Sequence, residues 1–80
     1  LEEKMKNYYQ IDRRNEDGTL ADYYMILASS AQDALRRYLG GDYGDYQLSS
    51  CRINGKLVTT ARCPEETSEY LEVSKAQLEN

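Results

Sequence analysis

The sequence predicts an α+β fold: a small antiparallel sheet of two hairpins in ββαββ order, with one amphipathic helix packed on one face. Three observations predict it. Asn54-Gly55, the strongest two-residue hairpin signal, separates two strand-like runs. Apolar residues recur at helical spacing from Ala31 to Leu39. A cluster of turn formers, Asn15 to Thr19, separates two further strand-like runs.

The first run, Lys4 to Arg14, places Met5, Tyr9 and Ile11 on one face and Tyr8 on the other. Asn15-Glu16-Asp17-Gly18-Thr19 makes a turn in which Gly18 supplies a positive φ. The second run, Asp22 to Ala28, is apolar at six consecutive positions after Asp22. Such a strand is expected to be central or covered on both faces. Tyr9, Tyr24 and Ile26 are assigned inward, Tyr8 and Tyr23 outward.

Ser29-Ser30 ends that strand and caps a helix, with Ser30 and Asp33 spaced as a capping box. Ala31, Ala34, Leu35, Tyr38 and Leu39 form one helical face, and Gln32, Asp33, Arg36 and Arg37 the other. The arginines sit in the last turns, where the helix dipole favours positive charge. Gly40-Gly41 closes the helix.

Asp42-Tyr43-Gly44-Asp45 is a loop leading to the second hairpin, Tyr46 to Ile53 and Lys56 to Arg62. A type I′ turn at Asn54-Gly55 sets Cys51 opposite Val58 and Tyr46 opposite Cys63. Tyr46, Leu48, Leu57, Ala61 and Cys63 then share the core face, and Cys51, Ile53 and Val58 the other. Pro64 ends the strand, and Glu65 to Ser68 is an acidic loop. Tyr70 to Val73 reads as a short strand, with Ser74 capping a helical turn through Gln77. A helix from Ser68 onward competes, because Leu71, Lys75 and Leu78 also share helical spacing.

Eighty residues suit a single domain, residues 1–80. Eight tyrosines with no Phe or Trp favour rings at the core edge or on the surface. A net charge of −4 lacks the basic excess of a generic nucleic-acid binder. No apolar run reaches membrane-span length and no signal-peptide pattern is visible. The absence of histidine removes the usual general base, metal ligand and pH switch. Cys51 and Cys63 are too few for a zinc site, lie on opposite hairpin faces, and are expected to be free thiols in a reducing, cytoplasmic setting.

No catalytic, cofactor or metal site is expected from these residues, and none of the motifs that cradle phosphates is present. The most site-like segment is Asp42-Tyr43-Gly44-Asp45-Tyr46, with Tyr43 and Tyr46 as anchors and Asp42 and Asp45 as a charged rim. Tyr8 and Tyr23 offer a second aromatic surface. The expected role is a non-enzymatic protein-binding module: an adaptor, or a small inhibitor of the kind carried by phages and other mobile elements. The alternative is a domain associated with single-stranded nucleic acid, stacking bases on Tyr8 and Tyr23 with Arg13, Arg14, Arg36 and Arg37 on phosphates. One helix covers one face only, leaving Tyr8, Tyr23, Met25 and Leu27 to be covered by the C-terminal segment around Tyr70 and Leu71 or by a second copy. A homodimer is the expectation.

Overall fold

The computed structural model describes residues 6–76 and shows an antiparallel five-stranded sheet with one α-helix on one face. The strands are β1 (Asn7–Asn15), β2 (Leu20–Ala28), β3 (Gln47–Ile53), β4 (Lys56–Cys63) and β5 (Glu66–Lys75), and the helix α1 (Ala31–Leu39) follows β2. The chain order is therefore ββαβββ, and the strands lie side by side as β2-β1-β5-β4-β3.

The first hairpin turns where the turn formers cluster. Gly18 has φ +91°, Asn15 N–H donates to the Thr19 carbonyl at 2.9 Å, and Asp17 accepts from the Thr19 amide at 3.0 Å. At the second hairpin Asn54 and Gly55 have φ of 54° and 80°, the pair of positive values a type I′ turn requires. Cys51 pairs with Val58 and Leu48 with Ala61, the register that a two-residue turn dictates.

The helix begins where the capping residues place it. Ser30 Oγ accepts from the Asp33 amide at 3.0 Å, while the Asp33 carboxylate accepts from the Ser29 amide at 3.0 Å. The reciprocal bond thus closes on Ser29 rather than Ser30. Gly40, at φ +59°, ends the helix by donating its N–H to the Arg36 carbonyl. The helix joins one sheet edge to the opposite edge. Those edges are about 19 Å apart across four strand spacings, and nine helical residues advance only about 13 Å. The Asp42–Asp45 stretch, expected as an open loop, continues the crossing as a 3-10 segment, Gly40–Asp45.

Crossing the sheet presses one helix face onto it. Ala34 and Leu35 of α1 are fully buried with Ile11, Ala28, Ala61 and Val73, and Leu71 is nearly so. Tyr9, Ile26, Ala31, Tyr38, Leu39 and Leu48 pack around this cluster. The predicted inward parity of the described residues of β1, β2 and the second hairpin holds, although Tyr24 and Leu57, at the margins of the helix, stay 39% and 49% exposed.

The C-terminal element differs from expectation. It is one ten-residue strand that includes Ser74 and Lys75, not a short strand followed by a helical turn, and not a helix from Ser68. Leu71 and Val73 alternate inward, and the strand inserts between β1 and β4 with Ile11 opposite Val73 and Ala61 opposite Leu71. Both backbone edges are then paired, which outweighs the helical spacing of Leu71 and Lys75. Met5, Gln77 and Leu78 lie outside the described residues. The acidic loop contracts to a turn at Pro64-Glu65, with Cys63 already opposite Glu66.

Inserting β5 also displaces β2 from the position its composition predicts. Among the described residues β2 pairs only with β1 and forms one edge of the sheet. The segment around Tyr70 and Leu71 does not fold over the outer face, because through Lys75 it is part of the sheet.

Candidate functional site

Parity decides what the open face carries. Tyr8, Gln10, Asp12 and Arg14 of β1 point away from the helix, opposite Leu27, Met25, Tyr23 and Leu20 of β2 respectively. A bulge between Arg13 and Arg14 offsets the last pair. Tyr8 (45% exposed), Tyr23 (56%), Met25 (44%) and Leu27 (44%) form an apolar stripe along the β2 side of this face. Tyr8 stands opposite Leu27, and Tyr23 opposite Asp12, so the two rings are four positions apart along the strands. They are joined by Met25 and Leu27 rather than by each other.

A polar band borders the stripe. Arg14 Nε donates to Glu72 at 2.7 Å, and its second nitrogen lies 3.2 Å from Asp12, which also accepts from Gln10 Nε2 at 2.7 Å. Burial, the largest influence on Arg14, works against its charge. The Glu72 hydrogen bond, with the charges of Glu72 and Asp12, outweighs it and raises the pKa. Arg62 of β4 lies over the Tyr70 ring, 4.2 Å from its centroid. The open face is thus apolar at β2 and charge-balanced in the middle.

The basic doublets are already engaged. Arg13, on the helix side, pairs with Glu69 at 2.9 Å, and that hydrogen bond raises its pKa. Arg37 donates to Asp33 at 3.1 Å, and Arg36 lies 5.2 Å from the Tyr43 ring centroid. Arg13 and Arg14 point to opposite faces, so no continuous basic track accompanies Tyr8 and Tyr23.

The segment expected to be most site-like lies elsewhere. Tyr43 and Tyr46 are half-buried and pack against the core on the helix side, while Asp42 and Asp45 are exposed. Burial, followed by the nearby Cys63 thiol, pushes the Tyr46 hydroxyl above its ordinary pKa. These two rings therefore help to seal the end of the core. Tyr8 and Tyr23 share one face; Asp42, Tyr43, Asp45 and Tyr46 belong to the other side. The Arg62–Tyr70 pair was not visible in the sequence, because it depends on where β5 docks.

Concave features are modest. A groove of about 620 Å³ beside the start of α1 is lined in part by Tyr9, Ala31, Lys56, Leu57 and Lys75, and among the described residues no carboxylate or thiol lines it. Among the described residues no three His, Cys, Asp or Glu side chains are grouped to hold a metal ion. Cys51 is exposed, Cys63 half-buried, and both are free. Among the described residues no helix is long and apolar enough to cross a membrane. No protein-family model, curated protein or solved structure matches the chain.

Proposed function

We propose that the protein is a non-enzymatic protein-binding module, an adaptor or a small inhibitor-type protein, whose partner docks on the β2 side of the open sheet face. One observation carries the reading: Tyr8, Tyr23, Met25 and Leu27 form a contiguous stripe, each residue about half exposed, on a face that no other described element covers. Such a patch with a polar rim is the usual composition of a docking surface. Tyrosine suits it, since the ring buries apolar area while the hydroxyl remains at the wet edge.

The docking surface is narrower than the sequence alone implied. It includes Tyr8 and Tyr23 but leaves out the Asp42–Tyr46 segment, whose rings serve the core. The nucleic-acid alternative gains no support, since Arg13, Arg14 and Arg37 are neutralised by acidic neighbours.

The test is capture of binding partners by immobilised wild-type protein, by a Tyr23→Ser/Leu27→Ser variant and by an Asp42→Asn/Asp45→Asn variant, each with and without nuclease. The reading expects a protein retained by the wild type and the aspartate variant, lost from the Tyr23/Leu27 variant and indifferent to nuclease. Retention that nuclease abolishes, or that survives loss of Tyr23 and Leu27, would overturn it.

A further inference from the structure

We infer that the β2 edge beside this surface pairs with a second copy of the chain, antiparallel, so that the two sheets become one ten-stranded sheet. The inference goes beyond the docking reading above: it names what binds the backbone edge of the strand that carries the stripe, and it leaves the open face free.

The first argument is the backbone. β2 has a strand on one side only, so alternate residues direct their N–H and C=O groups away from β1. Edge strands are ordinarily guarded by shortness, proline, lysine or a covering element. β2 is nine residues long and carries no proline or lysine; its bulge and the inward-facing Asp22 lie near its start, and among the described residues nothing lies beyond the stretch from Tyr23 to Ala28. The opposite edge is shorter and more polar: β3 has seven residues, with Gln47, Ser49, Ser50 and Arg52 among Leu48, Cys51 and Ile53. The β2 edge therefore calls for a strand, and not merely for any apolar body.

The second argument is charge. Asp22 is the sole charged residue of β2 and lies near its start, leaving Tyr23 to Ala28 uncharged. A two-fold axis at Met25 sets the two Asp22 carboxylates about six strand residues apart, roughly 20 Å at the strand rise. That exceeds the screening length at physiological salt, about 8 Å. Parallel pairing in register would instead stack Asp22 on Asp22. A chain of net charge −4 can thus join itself here without opposing like charges.

The third argument is side-chain fit. Antiparallel pairing about Met25 brings Tyr23 of one copy opposite Leu27 of its mate, with the two Met25 side chains at the axis. The stripe on each copy becomes the centre of a shared apolar band, and aromatic and thioether groups pack well across such a ladder. A two-fold interface of this kind closes on itself and leaves polar β3 strands as the outer edges.

The test combines sedimentation with amide hydrogen exchange on the wild type and on Met25→Lys. The expected results are a particle of twice the chain mass, strong slowing of exchange at every amide from Tyr23 to Leu27, and, for Met25→Lys, a folded monomer in which alternate amides of that stretch exchange fast. A dimer in which alternate β2 amides still exchange fast, or in which β3 is the newly protected edge, would overturn the inference. So would a monomer at all concentrations. A monomer that nevertheless retains a foreign protein through Tyr23 and Leu27 would sink the self-pairing while leaving the docking reading intact. A monomer that retains none would sink both.

Discussion

The ring of Tyr24 on β2 lies 5.0 Å from the ring of Tyr38 on α1, tilted by 41°. This pair fastens the edge strand to the helix from the inner side, while Tyr23, one residue earlier, points to the open face. Burial, and then the neighbouring Tyr24, pushes the Tyr38 hydroxyl above its ordinary pKa. Aromatic pairs of this geometry couple by about 0.5–1.5 kcal/mol beyond the area they bury. A double-mutant cycle with Tyr24→Leu and Tyr38→Leu, read by urea unfolding, is expected to show a coupling in that range. Strict additivity would mean that the rings are neighbours without being partners.

Leu35 is fully buried at the centre of the helix–sheet contact. Leu35→Ala is expected to cost about 2–5 kcal/mol, most of the stability available to a domain this small. Arg36→Ala, on the exposed side, removes only the approach to the Tyr43 ring and is expected to cost no more than about 1 kcal/mol. Thermal or urea denaturation of the two variants compares them directly. Equal losses would place the helix face wrongly.

Three carboxylates are held below the ordinary acid range by local donors. The Ser29 amide and then Arg37 lower Asp33, the Thr19 hydroxyl and amide lower Asp17, and the Ser68 hydroxyl and amide lower Glu66. A carboxylate depressed in the folded state stabilises the fold above its unfolded pKa, and that contribution disappears as pH falls through the folded value. Stability is therefore expected to decline as pH drops below about 4. Asp33→Asn is expected to flatten this decline by removing one of the three titrations. Urea midpoints measured across the acid range check it; a slope unchanged by Asp33→Asn would assign the acid sensitivity to other groups.

Both cysteines are free, and they differ in access: Cys51 is exposed on β3 and Cys63 half-buried at the end of β4. A thiol reagent is expected to titrate two groups in denatured, non-reduced protein, and in the native state to label Cys51 before Cys63. A count of zero with a mass lighter by two hydrogens would show a disulfide, which the opposite-face register argues against.

Loss of the N-cap is a gentler probe of the helix. Ser30→Ala removes the acceptor of the Asp33 amide and is expected to cost about 1 kcal/mol. Asp33 still accepts from Ser29, so the helix should persist, with a lowered unfolding midpoint and an unchanged circular-dichroism spectrum.

The candidate site was half legible. Alternation along Tyr8-Tyr9 and Tyr23-Tyr24 was enough to say which ring of each pair faces outward, because successive strand residues must point to opposite faces. For Tyr43 and Tyr46 the surroundings differ from those expected. Their aspartate neighbours look like a solvated loop, yet the helix must reach the far edge of the sheet, and the 3-10 segment that completes the crossing turns both rings onto the core.

By itself the sequence determined what depends on neighbours a few residues away: the span of α1 from its cap to Gly40, the type I′ turn at Asn54-Gly55 with its register, and the facing of β1, β2 and the second hairpin. Only the tertiary structure decided the state of the last segment and the order of the strands. Leu71 satisfies both helical spacing with Lys75 and strand alternation with Val73, so its local pattern was ambiguous. The slot between β1 and β4 resolved it, by pairing both backbone edges of β5 and burying Leu71 and Val73 under the helix. The same insertion made β2 an edge strand, despite a composition suited to the interior. A strand's neighbours are set by hydrogen bonds between distant segments, and no local pattern records them.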